Sequence, residues 1–178
     1  PHHTNEIAQS ESFIGHKWCN YWVHGEHLND KTGKMSKSKG QVLTVSFLES
    51  EGFNPLSYRF MVLESHYRKQ LTFSLESLSG AENAYKKLKA KVANLKEEGT
   101  VNESVLETYV IKFKECLEDD MNTANAITLL YDVLKLDVND LTKRKIIEEM
   151  DKVLSLDLLK KEEKSIDEEY INLSLIHI

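Results

Sequence analysis

This sequence predicts a mainly α-helical protein with an α/β segment at its N-terminal side. Apolar residues recur at helical spacing through residues 75–154, and the joints between these stripes are short and polar, as in an up-and-down antiparallel bundle. Before them, residues 19–24 are aromatic and β-branched, a composition that favours a strand. The α/β segment is therefore expected to end near residue 43, with a helical part after it.

Composition narrows the class of protein. Of 178 residues, 40% are hydrophobic and 29% charged, which is ordinary for a globular chain. The net charge of −6 gives no overall attraction to nucleic acid, so any RNA contact must use a local basic patch. No apolar run approaches the roughly 20 residues that span a bilayer. Cys19 and Cys116 lie far apart without a CxxC partner, which favours reduced thiols in a cytoplasmic protein over a disulfide.

The N-terminal part has four predicted elements before residue 50. Residues 4–14 carry apolar side chains at a spacing consistent with a short helix, and residues 19–24 predict a strand. His27 to Gly40 is polar and contains glycine, which indicates a loop. Residues 43–48 pass from strand to helix, with Thr44 or Ser46 as the N-cap.

The remaining elements are predicted to be helices. Pro55 suits the first turn of one helix, whose apolar stripe is Leu56, Phe60, Leu63 and Tyr67. A longer helix is expected to end at Gly99, and its stripe is Leu75, Leu78, Tyr85, Leu88, Val92 and Leu95. Three more stripes are Val105, Tyr109, Phe113 and Leu117; Ala126, Leu129, Leu130, Val133 and Leu134; and Ile146, Ile147, Met150, Val153 and Leu154. We interpret all of these as core.

The segment Lys34-Met35-Ser36-Lys37-Ser38 is a candidate polyphosphate-binding loop. Its two lysines, three residues apart between Gly33 and Gly40, can direct two cations at one pyrophosphate leaving group. Ser36 and Ser38 add hydroxyl donors. A solvated basic turn is the alternative, because short Lys/Ser motifs also occur by chance.

His2 and Glu6 form a candidate metal half-site. They stand four residues apart, so on a helix they project from one face. An imidazole and a carboxylate supply two of the four ligands of a tetrahedral zinc ion. A solvated His/Glu pair is the alternative.

Two kinds of segment are candidate RNA contacts. His66, Tyr67, Arg68 and Lys69 combine aromatic rings with cations, which can stack on bases and bind phosphate. Lysines also crowd two predicted helices, at Lys86, Lys87, Lys89, Lys91 and Lys96 and at Lys143, Arg144 and Lys145. Interspersed acidic residues favour a solvated face for these lysines.

Several blocks together resemble one family of class I aminoacyl-tRNA synthetases, the cysteinyl-tRNA synthetases. Residues 1–10 (PHHTNEIAQS) resemble the family's zinc segment, and residues 34–38 resemble its signature loop. Residues 21–24 (YWVH) are similar to the strand before that loop, and residues 65–68 and 71–74 to its connecting segment. Asp119–Ala124 resembles a turn in its anticodon-side helical bundle. The matching blocks span roughly residues 1–172.

The resemblance implies a cysteine–tRNA ligase that uses ATP with Mg²⁺. In the family, His2 and Glu6 bind Zn²⁺ together with two cysteines that lie earlier in the chain, and the metal selects the substrate thiolate over serine. Lys34 and Lys37 act in catalysis and, with Ser36 and Ser38, bind ATP, with Lys37 the closer contact. The partners are ATP, L-cysteine and tRNA(Cys), without a membrane, and the enzyme is expected to be a monomer.

For tRNA binding, the resemblance implies contacts from His66, Tyr67 and Arg68 on the acceptor-stem side. Asp120 and Asn122 are similar to polar residues on the bundle that approaches the anticodon arm. From the residues alone, the acidic side chains ahead of Thr123 also suit helix N-capping, so both roles stay open.

The implied organisation has four parts. Residues 1–43 would be the C-terminal remnant of a Rossmann-type catalytic domain, residues 44–74 a connecting segment that contacts the acceptor stem, and residues 75–172 a truncated helical bundle. Residues 173–178 match, codon for codon, the adapter sequence CTG TCT CTT ATA CAC ATC, and we interpret them as a non-native tail. An exposed apolar tail is the alternative.

The sequence also departs from the family pattern. Lys39 and Gln41 follow the loop where Leu and Asn are frequent, and residues 25–27 differ from the usual Asn-Gly pair. The nucleotide-cradling His-Ile-Gly-His element does not occur in these 178 residues, and Pro1 opens the chain instead of Met. We therefore expect a piece of a longer enzyme, inactive alone. Two other hypotheses remain: a related ligase that joins cysteine to an amino sugar, and a non-catalytic helical RNA-binding module.

Overall fold

The computed structural model describes residues 2–30, 33–34 and 44–160, which form seven helices and three short strands. The helices are α1 His2–Ile14, α2 Val45–Ser50, α3 Pro55–Leu63, α4 Leu75–Ala93, α5 Glu103–Glu118, α6 Thr123–Lys135 and α7 Asp140–Leu154. The strands are β1 Leu28–Asp30, β2 Gly33–Lys34 and β3 Leu71–Thr72. The prediction of a mainly helical protein is confirmed. Among the described helices, none combines the length and apolar character needed to cross a membrane.

The predicted strand at residues 19–24 is wrong. The helix before it is confirmed as α1, but residues 21–27 have no regular secondary structure. In the described chain, no neighbouring strand pairs with this segment, and its large side chains are exposed, Tyr21 at 87%. Aromatic composition indicates suitability for a pleated surface, but a strand also needs a hydrogen-bonding partner.

β1 and β2 lie where the sequence predicted a loop, and β3 lies in the predicted connecting segment. β1 is the middle strand of a three-stranded sheet, with β2 antiparallel on one side and β3 parallel on the other. Asn29 pairs with Lys34 and also with Thr72. The loop prediction for residues 27–40 is therefore corrected at 28–30 and 33–34. The sequence carries no local signal for β1, because it pairs with Leu71 and Thr72, which lie far along the chain. Residues 31–32 and 35–43 lie outside the described residues, and so does the predicted strand start at residue 43.

Side-chain caps define the starts of α2, α3 and α4, and the prediction of Thr44 as a cap is confirmed. Thr44 is the N-cap of α2 and accepts from the backbone N–H of Phe47 at 3.1 Å. Asn54 caps α3, with Pro55 in the first turn as predicted. Ser74 and Ser77 form a reciprocal capping box at the start of α4.

One continuous core joins α2 through α7 and the segment after α7. Its buried apolar side chains are Leu48, Phe60, Met61, Phe73, Leu78, Ala81, Tyr85, Leu88, Val92, Phe113, Ala126, Ile127, Leu130, Val133, Ile146, Ile147, Met150, Leu154, Leu156 and Leu158. Helix α3 packs chiefly on α4, whereas α5, α6 and α7 pack on one another. The predicted stripes supply most of this core.

Three details of the predicted stripes are wrong. Leu75 and Val153 are exposed, at 40% and 53%, because they stand at the edges of their helical faces. Tyr67 lies beyond α3, which ends at Leu63. Helix α4 ends at Ala93 with Asn94 as C-cap, well before Gly99, although Leu95 still packs on the core.

Two polar contacts tie the end of α7 to the first helices of the core. The buried Tyr85 hydroxyl donates to the carbonyl of Leu156 at 2.7 Å. Arg59 Nε donates to the carbonyl of Leu154, the last residue of α7, at 2.6 Å. A cation at a helix C-terminus also interacts favourably with the helix dipole.

Candidate functional site

Helix α1 carries the predicted metal half-site. His2 is its first residue and Glu6 lies one turn later, as the spacing predicted. The Glu6 carboxylate accepts from His3 Nδ1 at 2.9 Å and is half-exposed. Glu6 is therefore accessible as a ligand, although it already has an imidazole partner.

His3 links Glu6 to residues 22–24. Its Nε2 lies 2.5 Å from Nε2 of His24, and its ring packs against Trp22 with a centroid separation of 4.5 Å. Since a carboxylate only accepts, we assign the His3 proton to Nδ1 and the shared proton to His24 Nε2. His3 thus holds α1 against residues 22–24.

The donor set fits half of a zinc site. Among residues 2–30, 33–34 and 44–160, no group of three or more His, Cys, Asp or Glu side chains is arranged to hold a metal ion. One imidazole and one carboxylate are suitable zinc ligands, and a tetrahedral site would need two more.

The predicted phosphate loop begins at a defined strand. Lys34 is the last residue of β2, and its backbone pairs with Asn29 in the middle strand. Ser36, Lys37 and Ser38 lie outside the described residues. The first residue of the predicted loop therefore belongs to a strand.

Two segments predicted separately as RNA contacts meet in one cluster. We call His66, Tyr67, Arg68 and Asp120 the Asp120 cluster. Its centre is the Asp120 carboxylate, which accepts from the Tyr67 hydroxyl at 2.6 Å and from Arg68 Nε and Nη2 at 2.7 and 3.1 Å. His66 Nε2 stands 3.7 Å away. The two segments are more than fifty residues apart in sequence.

The aromatic rings of this cluster are also stacked. The His66 and Tyr67 rings are 5.0 Å apart at an interplanar angle of 24°. The Arg68 guanidinium lies 5.0 Å from the centroid of the Tyr67 ring, which is a cation–π distance. The cluster is therefore held by ring contacts as well as by the carboxylate.

The ionisable groups of the cluster shift one another's pKa values. The Arg68 guanidinium, followed by the Tyr67 hydroxyl, lowers the pKa of Asp120 from its ordinary value to about 2. The hydrogen bond to Asp120 raises the pKa of Tyr67 and that of Arg68. At neutral pH the ionised Asp120 carboxylate therefore forms an ion pair with the Arg68 guanidinium.

A left-handed turn places Asp120 between α5 and α6. Asp120 and Met121 have φ values of +52° and +51°, a region that residues other than glycine, asparagine and aspartate rarely adopt. The Met121 N–H donates to the carbonyl of Leu117 at 3.0 Å and so closes the turn. The carboxylate is consequently carried on a tightly bonded backbone.

The predicted capping role of the acidic residues is wrong. Asn122 is the N-cap of α6, and its side chain accepts from the backbone N–H of Asn125 at 3.1 Å. Asp119 instead accepts from the Asn122 side-chain amide. Asp120 points to Arg68 and Tyr67, because the left-handed turn directs its carboxylate away from the start of α6.

The basic residues near the start of α7 have acidic or carbonyl partners within the chain. Arg144 Nη2 lies 2.8 Å from Glu97 and Lys145 Nζ lies 2.7 Å from Glu148. Lys143 reaches the carbonyl of Leu134 at 3.5 Å. These contacts favour a solvated, internally paired face over an RNA surface.

Both cysteines are free thiols, as predicted. Cys19 is not in a strand, and its thiol donates to the carbonyl of Tyr21 at 2.8 Å. Burial, and then the charges of Glu115 and Asp119, raise the pKa of Cys116. A thiol with a raised pKa is a poor nucleophile and a poor metal ligand at neutral pH.

Sequence reasoning missed the contact that connects the Asp120 cluster to the sheet. The backbone N–H of Glu26 donates to the carbonyl of Tyr67 at 2.7 Å. It also missed the pairing of Asp120 with Arg68. Opposite charges on two polar segments were the available signal, but neither spacing nor periodicity specifies a partner so distant in sequence.

Two family models match most of the chain. Residues 1–83 match the model described as tRNA synthetases class I (C) catalytic domain, and residues 112–160 match the DALR domain. The first match contains α1, the sheet and the Tyr67–Arg68 segment, whereas Asp120 lies in the second.

Curated relatives with the name cysteine–tRNA ligase are similar to most of this chain. One from Borreliella burgdorferi (strain ZS7) is 37% identical over 171 residues, which is 88% of this chain and 36% of the relative. One from Borrelia turicatae (strain 91E135) is 36% identical over 97% of this chain and 39% of the relative. One from Lactococcus lactis subsp. lactis (strain IL1403) is 42% identical over 74% of this chain and 29% of the relative. The matched part of the chain thus spans between 29% and 39% of the length of these relatives.

Proposed function

The chain belongs to the cysteinyl-tRNA synthetase family, and we propose that the whole protein joins L-cysteine to tRNA(Cys) with ATP. The observation that carries this proposal is the similarity to cysteine–tRNA ligases along 97% of the chain. It continues from the catalytic-domain match into the helical DALR match.

The proposed reaction has two balanced steps. A carboxylate oxygen of cysteine attacks the α-phosphorus of ATP, the bond to the bridging α–β oxygen breaks, and pyrophosphate leaves with Mg²⁺. A terminal ribose hydroxyl of tRNA then attacks the acyl carbon, and AMP leaves as the hydroxyl proton is lost to base.

In the first step, Lys34 and Lys37 would neutralise charge that develops on pyrophosphate, with Ser36 and Ser38 as further donors. The strand pairing of Lys34 supports this role, since it anchors one end of the proposed loop beside the sheet. We place ATP contact chiefly at Lys37.

Zinc is proposed to supply thiolate recognition. His2 and Glu6 would hold the ion, and a metal that binds sulfur much better than a hydroxyl would favour cysteine over serine. The accessible Glu6 carboxylate supports this assignment. His3, which bonds to Glu6, would orient that carboxylate.

We propose the tRNA-contacting set His66, Tyr67, Arg68, Asp120 and Asn122. His66 and Tyr67 present stacked rings, and Arg68 keeps guanidinium N–H groups beyond the two that bond Asp120. Asp120 and Asn122 would act largely by holding these groups and the turn in place.

The proposed domain limits follow the family. Residues 1–43 would complete a Rossmann-type catalytic domain, residues 44–74 would connect it to the acceptor-stem side, and residues 75–172 would form an antiparallel bundle. Short connections such as 119–122 between α5 and α6 support antiparallel neighbours. Residues 161–178, with the proposed adapter-encoded tail at 173–178, lie outside the described residues.

A cysteine-dependent ATP–pyrophosphate exchange assay on the whole protein tests this function. We expect exchange with cysteine, almost none with serine, and a loss of roughly 100-fold in the Lys37→Ala variant, as for other charged transition-state donors. Lys152→Ala, which removes an exposed lysine on α7, is the matched control. Exchange that needs no cysteine would contradict the proposal.

The amino-sugar ligase hypothesis is tested by the second step. Such a ligase would resemble only the catalytic half, whereas this chain also matches the DALR domain at residues 112–160. We therefore expect cysteine to be transferred to tRNA. Exchange activity without any tRNA product, together with transfer to an amino sugar, would favour the other ligase.

A further inference from the structure

The Asp120 cluster is connected to the segment that leads into β1, the middle strand of the sheet. Tyr67 bonds in two directions, because its hydroxyl donates to Asp120 at 2.6 Å while its backbone carbonyl accepts from the Glu26 N–H at 2.7 Å. Glu26 stands two residues before β1. The Asp120 side chain, in the turn between α5 and α6, is thus connected through Tyr67 to the backbone that leads into β1.

The sheet carries this connection to the base of the loop. β1 pairs with β2 at Asn29 and Lys34, so the backbone of Lys34 depends on where β1 lies. On its other side β1 pairs with β3, where Leu28 stands opposite Leu71. The segment from Tyr67 to Leu71 therefore holds β1 at two points, at Glu26 and along β3.

We propose that Asp120 is a positioning residue for ATP activation, acting through Tyr67 and β1 on the backbone from which the Lys34–Ser38 loop begins. This inference rests on the proposed function. It joins a residue in the DALR match to a loop in the catalytic-domain match, so the helical part would influence the first chemical step even when no tRNA is bound.

The geometry singles out Asp120 for this role. Its carboxylate receives three hydrogen bonds from two residues, and its own backbone is locked in the left-handed turn. Asn tolerates that backbone and matches the shape of Asp, but it is neutral and has only one acceptor oxygen. Asp120→Asn therefore removes the charge-assisted contacts without forcing a new backbone.

Amide hydrogen exchange on this chain tests the connection without any activity measurement. In Asp120→Asn we expect the Glu26 N–H and the β1 amides to exchange faster by roughly threefold to thirtyfold, the range for mutations that alter coupling between sites. Core amides of α4 should not change. Glu148→Gln is the matched control. It also removes a carboxylate that has a cationic partner, here Lys145 at 2.7 Å, but Glu148 lies on α7 and outside the Asp120 cluster.

The variant Tyr67→Phe is a second test of the connection by amide hydrogen exchange. It deletes only the hydroxyl that bonds to Asp120 and leaves the backbone carbonyl that accepts from Glu26. We expect it to raise exchange at Glu26 in the same direction as Asp120→Asn, and the double variant to add little. Unchanged exchange at Glu26 in both single variants would overturn the proposal.

ATP–pyrophosphate exchange by the whole protein tests the role in catalysis. The assay contains no tRNA, so a lost RNA contact cannot explain an effect. We expect Asp120→Asn to lower kcat/KM for ATP by about threefold or more, with Glu148→Gln at the parent value. An active parent with an equally active Asp120→Asn variant would overturn the positioning role. A parent protein that is inactive with cysteine would instead overturn the proposed function. The amide hydrogen exchange rate of the Glu26 N–H would then be the only test of the connection between Asp120 and β1.

Discussion

Ser57 and Thr142 are both fully buried hydroxyl residues, but their hydrogen bonding differs. The Thr142 hydroxyl accepts from the Asn102 N–H at 3.0 Å and donates to Asn139 at 2.9 Å. Ser57 Oγ has no partner within the described chain. A buried hydroxyl without a partner costs desolvation free energy that no bond returns.

The two hydroxyls predict opposite effects on stability. Ser57→Ala should raise the free energy of unfolding by about 1 kcal/mol, because it removes an unsatisfied polar atom. Thr142→Val should lower it by about 1–3 kcal/mol, because it leaves the Asn102 N–H without its acceptor. Urea denaturation of both variants beside the parent measures the difference. A loss of stability in Ser57→Ala would contradict this account of residue 57.

Single residues also mark how far sequence reasoning reaches. Pro55 and Thr44 have the predicted roles, since capping depends only on neighbours in the chain. The role of Asp120 was not predictable in the same way. Its partners come from a segment more than fifty residues away, and only the folded chain brings them together.

At the level of elements, the end of α7 offers a direct test of backbone strain. Ser155 caps this helix with φ of +51°, a left-handed conformation in which glycine has no steric cost. Ser155→Gly should therefore raise the free energy of unfolding by about 0.5–1 kcal/mol, whereas Ser155→Ala keeps the strain and should not. Thermal or urea denaturation of the Ser155→Gly and Ser155→Ala variants measures this difference. Equal stability of the two variants would contradict the claim that the backbone of residue 155 is strained.

The turn between α5 and α6 predicts an acid dependence of stability. The pKa of Asp120 is about 2 in the folded chain, below the value of roughly 3.9 for an unfolded aspartate. The contribution is therefore fully present above about pH 4 and is lost as the pH falls towards 2. The stability difference between the parent and Asp120→Asn should be constant from pH 7 to 5 and shrink below pH 4. A difference independent of pH down to 2 would contradict the ion pair.

The helices with an apolar repeat that extends over several turns are the elements that the sequence predicts best. The stripes of α4 to α7 were read from spacing alone, because a 3.6-residue repeat over several turns is a local property. The short strands were not, since β1 is defined by pairing with β3, and residues 19–24 lack any such partner in the described chain. The N-terminal helix follows from the sequence, but the three-stranded sheet does not.

For the whole molecule, the zinc assignment predicts a difference between this chain and the longer protein. Two ligands, His2 and Glu6, leave half of a tetrahedral shell to water, so this chain alone should bind zinc weakly. The whole protein should retain about one zinc per chain through dialysis, and Glu6→Ala should lose most of it. Glu11→Ala, on the same helix, is the control. Zinc retention that is equal in the two variants would remove Glu6 from the site.

The most direct test of the central claim is the formation of cysteinyl-tRNA by the whole protein. With ATP, Mg²⁺ and tRNA(Cys), we expect labelled cysteine to become attached to tRNA, while serine at the same concentration remains unattached. Transfer of serine at a comparable rate, or activation of cysteine without any transfer to tRNA, would contradict the account.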